Sequence, residues 1–567
     1  MATFVQMLST LSRADVIFRC ARLNHIVTNA SDRPHMARQA SCVSQFLSID
    51  EARLIDRFAQ EHGGDVTVFF RGSLLEILRW AVLVCDDHSN DGSTFEDPEL
   101  RRTFTKVALI AGDIWGSRVY GGALSIEEGI DAARERSIGP FRKAIEGALT
   151  APEFSHSLGR GWQIFQKLLP LFDASFYGRF TSATGLTTEE YYACCCACIT
   201  QFLKPGSEAT IFDANTLGSN TKDSALVRRF IALESQTLAE LRQALWGGEQ
   251  LDQILAGPVR IYDYKPIRER PLLRAADGRT IIVDPIFMID KIAIGPLFHV
   301  LKFCVRQEAN ELFAAFGNAF ERYIQDTLRR AFPRNAADLF DPLSCGLKAE
   351  LHSGEQLEID ACLNYVKDLI LFEIKATWPR EAELTPGNAP SLLQSLRRQY
   401  GISEEADKGV AQLARLVTVI AGSKLIEEMQ EFRDINRIVA VLVVHDLLLS
   451  APGFGRFVAA EFDRALGPCQ KLTPCERLKG AVNVVVPIVL TIEDIEMLEV
   501  SIEHFSMREV LLDYSDACPD RMTSFHTFLA TSAKYSRRIY ANRHLASQAM
   551  EPVQVAMDRL FPRPTVE

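Results

Sequence analysis

The sequence predicts a multidomain α plus α/β protein: a helical N-terminal half, then a small α/β sandwich core of element order αβββαβ, then a helical C-terminal segment. Three observations lead there. Apolar residues recur at three- and four-residue spacing up to about residue 300, the period of an amphipathic helix. Short aliphatic runs bounded by polar turns then replace that spacing between residues 346 and 378 and return after 437 and 481, as buried strands do. The helical spacing comes back in the last stretch of the chain.

In the first half the clearest helical segments are LLEILRWAVLV, ALSIEEGIDAARERSIGPFRKAIEGAL and SALVRRFIALESQTLAELRQALW. The Gly139–Pro140 step should break or kink the second, because proline lacks the amide hydrogen and crowds the preceding turn. Between Pro258 and Pro296 the segment RIYDYKPIRERPLLRAADGRT is rich in proline and arginine and leads into the apolar run IIVDPIFMI, so a boundary is placed near here. Residues 1–300 are read as a mainly helical recognition or regulatory region, 301–500 as the α/β domain and 501–567 as a helical segment.

The α/β domain opens with FAAFGNAFERYIQDTLRRAF, which places Phe316, Phe320, Tyr323 and Ile324 on one helical face. Strands follow in GLKAEL, EQLEIDACLNY and LILFEIKATW, the last two joined by a polar turn at Val366 to Asp368. The unbroken run LILF suits a central strand buried on both faces. A loop holding Pro379, Pro386 and Pro390 leads to the helical stretch KGVAQLARLVTVIAG, and RIVAVLVV and VNVVVPIVLT supply two further buried strands.

Composition narrows the function classes. With 567 residues, 47% of them hydrophobic and 24% charged, the chain has apolar material for several cores. Arg13 and Asp15 interrupt the start before a signal peptide forms, and the longest apolar run, Ile438 to Leu449, contains His445 and Asp446. A cytoplasmic protein without a membrane segment is expected. No GxxxxGK[ST] phosphate loop occurs, which argues against an ATP-driven motor. The 13 cysteines have no regular spacing, and the CxxC of Cys195 and Cys198 has no second ligand pair, so they read as reduced, buried, small apolar residues. The 11 histidines are scattered and form no metal or base motif. A net charge of −11 speaks against a broadly basic nucleic-acid binder, though a local basic groove is what governs phosphate contact.

One constellation carries chemistry. Asp360 lies in LEID, 12 residues intervene before Glu373 in FEIK, and Lys375 follows two further on. Residues i and i+2 of a strand share a face, so Glu373 and Lys375 project together, and a hairpin brings Asp360 to the same strand end. Two carboxylates, with the Ile374 carbonyl, make a hard oxygen set for Mg²⁺ or Mn²⁺. A cation held there activates water for phosphodiester hydrolysis, with Lys375 placed to orient that water or to stabilise the transition state. Glu358 alternates onto the face of Asp360 and is an alternative ligand.

D-x12-E-x-K on a strand hairpin, preceded by the G-x-x-F-E of GNAFERYI, resembles the PD-(D/E)XK (restriction-endonuclease-like) nuclease superfamily over residues 310 to 450, roughly. The resemblance implies that Asp360 and Glu373 are metal ligands, that Lys375 is catalytic, that Glu321 assists the metal, and that Gln412 on the later helix faces the site. It implies a metal-dependent endonuclease, a hydrolase acting on DNA, in antiphage defence, restriction or repair. An RNase of the same fold, or a non-catalytic nucleic-acid-binding or assembly module, are the alternatives. Arg397, Arg398 and Lys408 are candidate phosphate contacts, and KYSRRIYANRH offers Lys534, Arg537, Arg538 and Arg543 beside tyrosines. The helical first half, free of chemical motifs, is expected to target or gate the enzyme through a protein partner or a second copy, and to be removable up to residue 290.

Overall fold

The computed structural model describes residues 1–28, 48–62, 68–86, 97–120, 154–202, 211–213, 221, 223–256, 264–275, 278–333, 342–350, 356–377, 389–401, 408–422, 432, 434–446, 449 and 453–560. The expected helix around Gly139–Pro140 lies outside them. In chain order the N-terminal half contributes helices α1 (Arg13–Thr28), α2 (Arg71–Val84), α3 (Phe154–Trp162) and α4 (Thr188–Phe202), with a π-helical stretch over Gln163–Leu168. It then adds β1 (Ile211–Asp213), α5 (Ser224–Glu234), β2 (Ser235–Thr237), α6 (Leu238–Trp246), β3 (Leu272–Arg274), β4 (Arg279–Ile282) and α7 (Pro285–Ala293).

One departure from the expected helices stands out. SALVRRFIALESQTLAELRQALW is not continuous: Ser235–Thr237 is extended and pairs in parallel with β3. The break has a local cause, because the Thr237 hydroxyl and the Glu240 carboxylate form a reciprocal capping box that starts a new helix. A four-stranded sheet of order β1-β4-β3-β2 therefore sits in the otherwise helical half. The apolar run IIVDPIFMI divides into the end of β4 and the start of α7, where the Asp284 carboxylate accepts the Phe287 N–H at 3.0 Å and is held by Arg71 at 2.8 Å.

The second half runs α8 (Arg306–Ala331), β5 (Leu343–Glu350), β6 (Gln356–Asn364), β7 (Asp368–Lys375), α9 (Ala389–Tyr400), α10 (Val410–Ala421), β8 (Arg437–Val444), α11 (Phe454–Leu466), β9 (Gln470–Lys471), β10 (Glu476–Lys479), β11 (Val482–Thr491), α12 (Ile492–Ser501) and, after two shorter helices, α13 (Arg543–Leu560). The strands form one mixed sheet of order β5-β6-β7-β8-β11-β10-β9. β5, β6 and β7 are antiparallel neighbours, while β7–β8 and β8–β11 are parallel. Ile370, Phe372 and Ile374 of β7 join the core of Phe316, Phe320 and Tyr323 from α8. Leu369 and Leu371 join that of Leu413, Val417 and Ile420 from α10. Helices thus cover both faces of the central strands, which is why β7 and β8 read as unbroken apolar runs.

Core membership crosses residue 300. Leu158, Phe165, Tyr191, Phe230 and Met288 share one core with Phe316, Phe372, Val441 and Leu545. A second core is built from the first helices together with Leu241, Trp246 and Phe287. Among the described residues no helix is long and apolar enough to cross a membrane.

Candidate active site at the end of the motif strands

The β6–β7 ladder pairs Asn364↔Leu369 through Ala361↔Phe372 and stops there. One more step would set Asp360 opposite Glu373. Instead the Asp360 side chain takes over from the missing strand bond: its Oδ2 accepts the Ile374 N–H at 2.7 Å. On the other edge of β6, Cys345↔Ala361 and Leu347↔Ile359 are paired, so Gly346 lies opposite Asp360, and its φ of 64° is a left-handed conformation that glycine accepts without strain.

Glu373 is 2% exposed, and its Oε1 lies 2.6 Å from Lys375 Nζ, on the same face of β7. The Lys375 side chain is 24% exposed, so the acidic group reaches solvent along it. Glu321 approaches from α8. Its Oε1 accepts from Gln325 Nε2 at 2.7 Å, and the same nitrogen donates to the Asp360 carbonyl oxygen at 3.0 Å. Gln325 was not singled out from sequence, although its i+4 spacing from Glu321 in ERYIQ places the two on one helical face.

Burial dominates the electrostatics. It pushes Glu373 up to about 8 against the pull of the Lys375 ammonium, with the Asp360 and Glu321 charges adding to the rise. Glu321 is pushed up to about 7 by burial, then by Asp360 and Glu358. Asp360 is raised by burial, while Lys375 and the Ile374 N–H hold it back. Burial disfavours the Lys375 ammonium, but Glu373 and then Asp360 reverse that and keep it above the ordinary lysine range. Three carboxylates crowded around one ammonium are short of positive charge.

Their chemistry fits a hard divalent cation: Asp360 Oδ1, Glu373 Oε2 and Glu321 Oε2 lie outside the hydrogen bonds and ion pair just described. Among the described residues no group of three or more His, Cys, Asp or Glu side chains is arranged to hold a metal. A cation here would take few protein ligands and keep several waters, as Mg²⁺ commonly does.

Most of the other predicted residues have partners of their own, and Glu358 borders the site closely enough to raise Glu321 and Asp360. The Gln412 amide oxygen accepts the Gly409 N–H at 2.9 Å and caps α10. Arg397 donates to Glu461 of α11 at 3.1 Å, Arg398 is half-buried, and Lys408 is exposed. Glu358 is exposed and lies 3.6 Å from Lys348. In the tail, Lys534 is neutralised by Glu509 at 2.5 Å and Asp513 at 2.7 Å, and Tyr535 is buried. Cys195 and Cys198 are buried free thiols in α4, with Cys198 pushed up to about 12 by burial. Compared with known proteins, the chain matches no family model, no curated protein and no solved structure.

Proposed function

We propose that this chain is a metal-dependent nuclease that hydrolyses phosphodiester bonds in DNA. The observation that carries the proposal is that Asp360, Glu373 and Glu321, from two adjoining strands and one helix, lie near enough to Lys375 and to one another for their charges to interact, with burial raising all three carboxyl groups. A site that disfavours its own negative charge gains most from a bound cation.

Asp360 and Glu373, assisted by Glu321 and the Ile374 carbonyl, are the groups that would hold Mg²⁺ or Mn²⁺. When bound, the cation supplies an acidified water and offsets charge on the phosphate. Lys375, kept charged by its neighbours and reaching solvent, contacts a phosphate oxygen or orients the attacking water. The Asp360 bond to Ile374 N–H fixes one carboxylate against the strand that carries the other two groups. The helical first half then belongs to substrate choice or control, and the resemblance points to defence, restriction or repair as the setting.

The test is incubation of the full chain with labelled single- and double-stranded DNA and RNA in Mg²⁺, Mn²⁺ or EDTA, beside Lys375→Met and Glu373→Gln. Metal-dependent DNA cleavage that both variants lose is expected. Cleavage persisting in EDTA overturns the metal role, cutting of RNA alone makes the chain an RNase, and binding without cleavage under every condition makes it a non-catalytic module.

A further inference from the structure

We infer that Gln325 is a positioning residue for the acidic site, holding the Glu321 carboxylate in register with Asp360 for a shared divalent cation; the inference rests on the nuclease reading above. Gln325 is 7% exposed. Its amide nitrogen makes two bonds, one to Glu321 Oε1 at 2.7 Å and one to the Asp360 carbonyl oxygen at 3.0 Å. The carbonyl only accepts, so it fixes which end of the amide points inward, and both amide hydrogens are then in use. One side chain therefore ties the helix that carries Glu321 to the strand that carries Asp360.

The rest of α8 is already fixed. Two residues before Gln325, Tyr323 donates to Glu496 Oε1 at 2.7 Å, and Phe316, Phe320 and Ile324 are sealed in the core. What stays adjustable is the Glu321 side chain, a half-exposed carboxylate with rotatable bonds to order. The Gln325 bond removes that freedom and leaves Glu321 Oε2 outside it. Partners of this kind, one shell out from a metal, commonly set ligand direction and affinity.

A purely structural role would also satisfy the Asp360 carbonyl, so stability alone does not decide. The deciding measurement is Mn²⁺ affinity by titration calorimetry on the full chain, in a cycle of Gln325→Met, Glu321→Gln and the double variant. Melting temperatures in EDTA run alongside. Gln325→Met is expected to weaken Mn²⁺ binding about tenfold in the wild-type background and hardly at all beside Glu321→Gln, since its action runs through that carboxylate. An equal loss in both backgrounds, or a lowered melting temperature with Mn²⁺ affinity unchanged, overturns the positioning role and leaves the nuclease reading standing. Failure of the wild type to bind Mn²⁺ overturns the nuclease reading and this inference with it. Gln325→Asn keeps a buried amide but is one methylene too short to span both partners, and it carries the same comparison should the methionine variant not fold.

Discussion

Asp360 serves the backbone and the chemistry with the same carboxylate, and its substitution separates the two. In Asp360→Asn the amide oxygen still accepts from Ile374 N–H, so packing survives while one negative charge leaves a site already short of positive charge. Metal-free stability should stay level or rise by about 1 kcal/mol, metal affinity should fall, and cleavage should be lost with DNA binding kept. Melting curves with and without Mg²⁺, beside cleavage and binding assays, check this; a variant that melts far earlier without metal marks Asp360 as a structural partner only. The pH dependence follows from Glu373, whose pKa rises from the ordinary carboxylate value to about 8 on burial. A raised carboxyl pKa means the folded state prefers the protonated form. Its contribution is fully present below the unfolded value near pH 4.5 and is lost as pH rises through about 8, with Glu321 adding a similar loss through about 7. Metal-free protein should therefore melt progressively earlier across that window, and Glu373→Gln should flatten the decline. A wild-type profile flat from pH 5 to pH 8, roughly, would show that these groups are solvated. The spacing of Asp360, Glu373 and Lys375 was legible because strand alternation fixes a face. Gln325 was not, because a glutamine one turn from an acid looks like any polar helix position until the Asp360 carbonyl is seen to need a donor. The partners of Arg397 and Gln412 were equally hidden: Glu461 lies on another helix, and sequence placed the helix start near Gly409 without showing that Gln412 caps it.

At the scale of elements, the hairpin between β6 and β7 is the feature most open to test. Its turn holds Val366 at φ 69°, with its N–H donating to Asn364 Oδ1 at 2.8 Å. Left-handed backbone costs a β-branched residue about 1–2 kcal/mol, and Val366 is 55% exposed, so little burial is recovered in return. Val366→Asn should raise the unfolding free energy by about 1 kcal/mol, since asparagine tolerates this conformation. Denaturant titration reads the shift, and a lowered midpoint would mean the valine packs in a way that outweighs its backbone. The long strands around this hairpin were readable because LILF and RIVAVLVV are buried on two faces and carry no polar interruption. The small N-terminal sheet was not, because strands of three or four residues are too short to display an alternating period. Thr237 and Glu240 did carry a readable signal, a Thr-x-x-Glu box, but the apolar spacing on either side of it also fits one long helix.

For the whole molecule, the part of the first half from Leu158 onward is built into the core that backs the sheet, while the first helices close a second core of their own. Helix α3 is wedged in place: a Cβ on Gly159 would meet the Leu545 carbonyl oxygen at 2.4 Å, and one on Gly161 the Ile292 oxygen at 2.5 Å. Arg160 between them is 2% exposed and grips Glu496 of α12 with both arms, at 2.7 and 2.6 Å, while Tyr323 of α8 donates to the same carboxylate. The helix that presents Glu321 is thus held from behind by a contact reaching into the N-terminal half. Removing residues 1–290 would take away Arg160 and the apolar side chains that cover Phe316, and leave Glu496 buried without its cation. In place of a fragment with altered specificity or regulation, the deletion is therefore expected to give one that does not fold. The sharper experiment keeps the chain whole. Arg160→Met leaves a buried carboxylate uncompensated and should lower stability by about 3–5 kcal/mol, whereas adding Glu496→Gln removes the orphaned charge and should recover part of that loss. Urea unfolding followed by far-UV and near-UV dichroism should show coincident transitions in all three proteins for the core that α3 shares with the sheet. A loss under about 1 kcal/mol in Arg160→Met, or separate transitions for α3 and the sheet, would show that the two are stabilised separately.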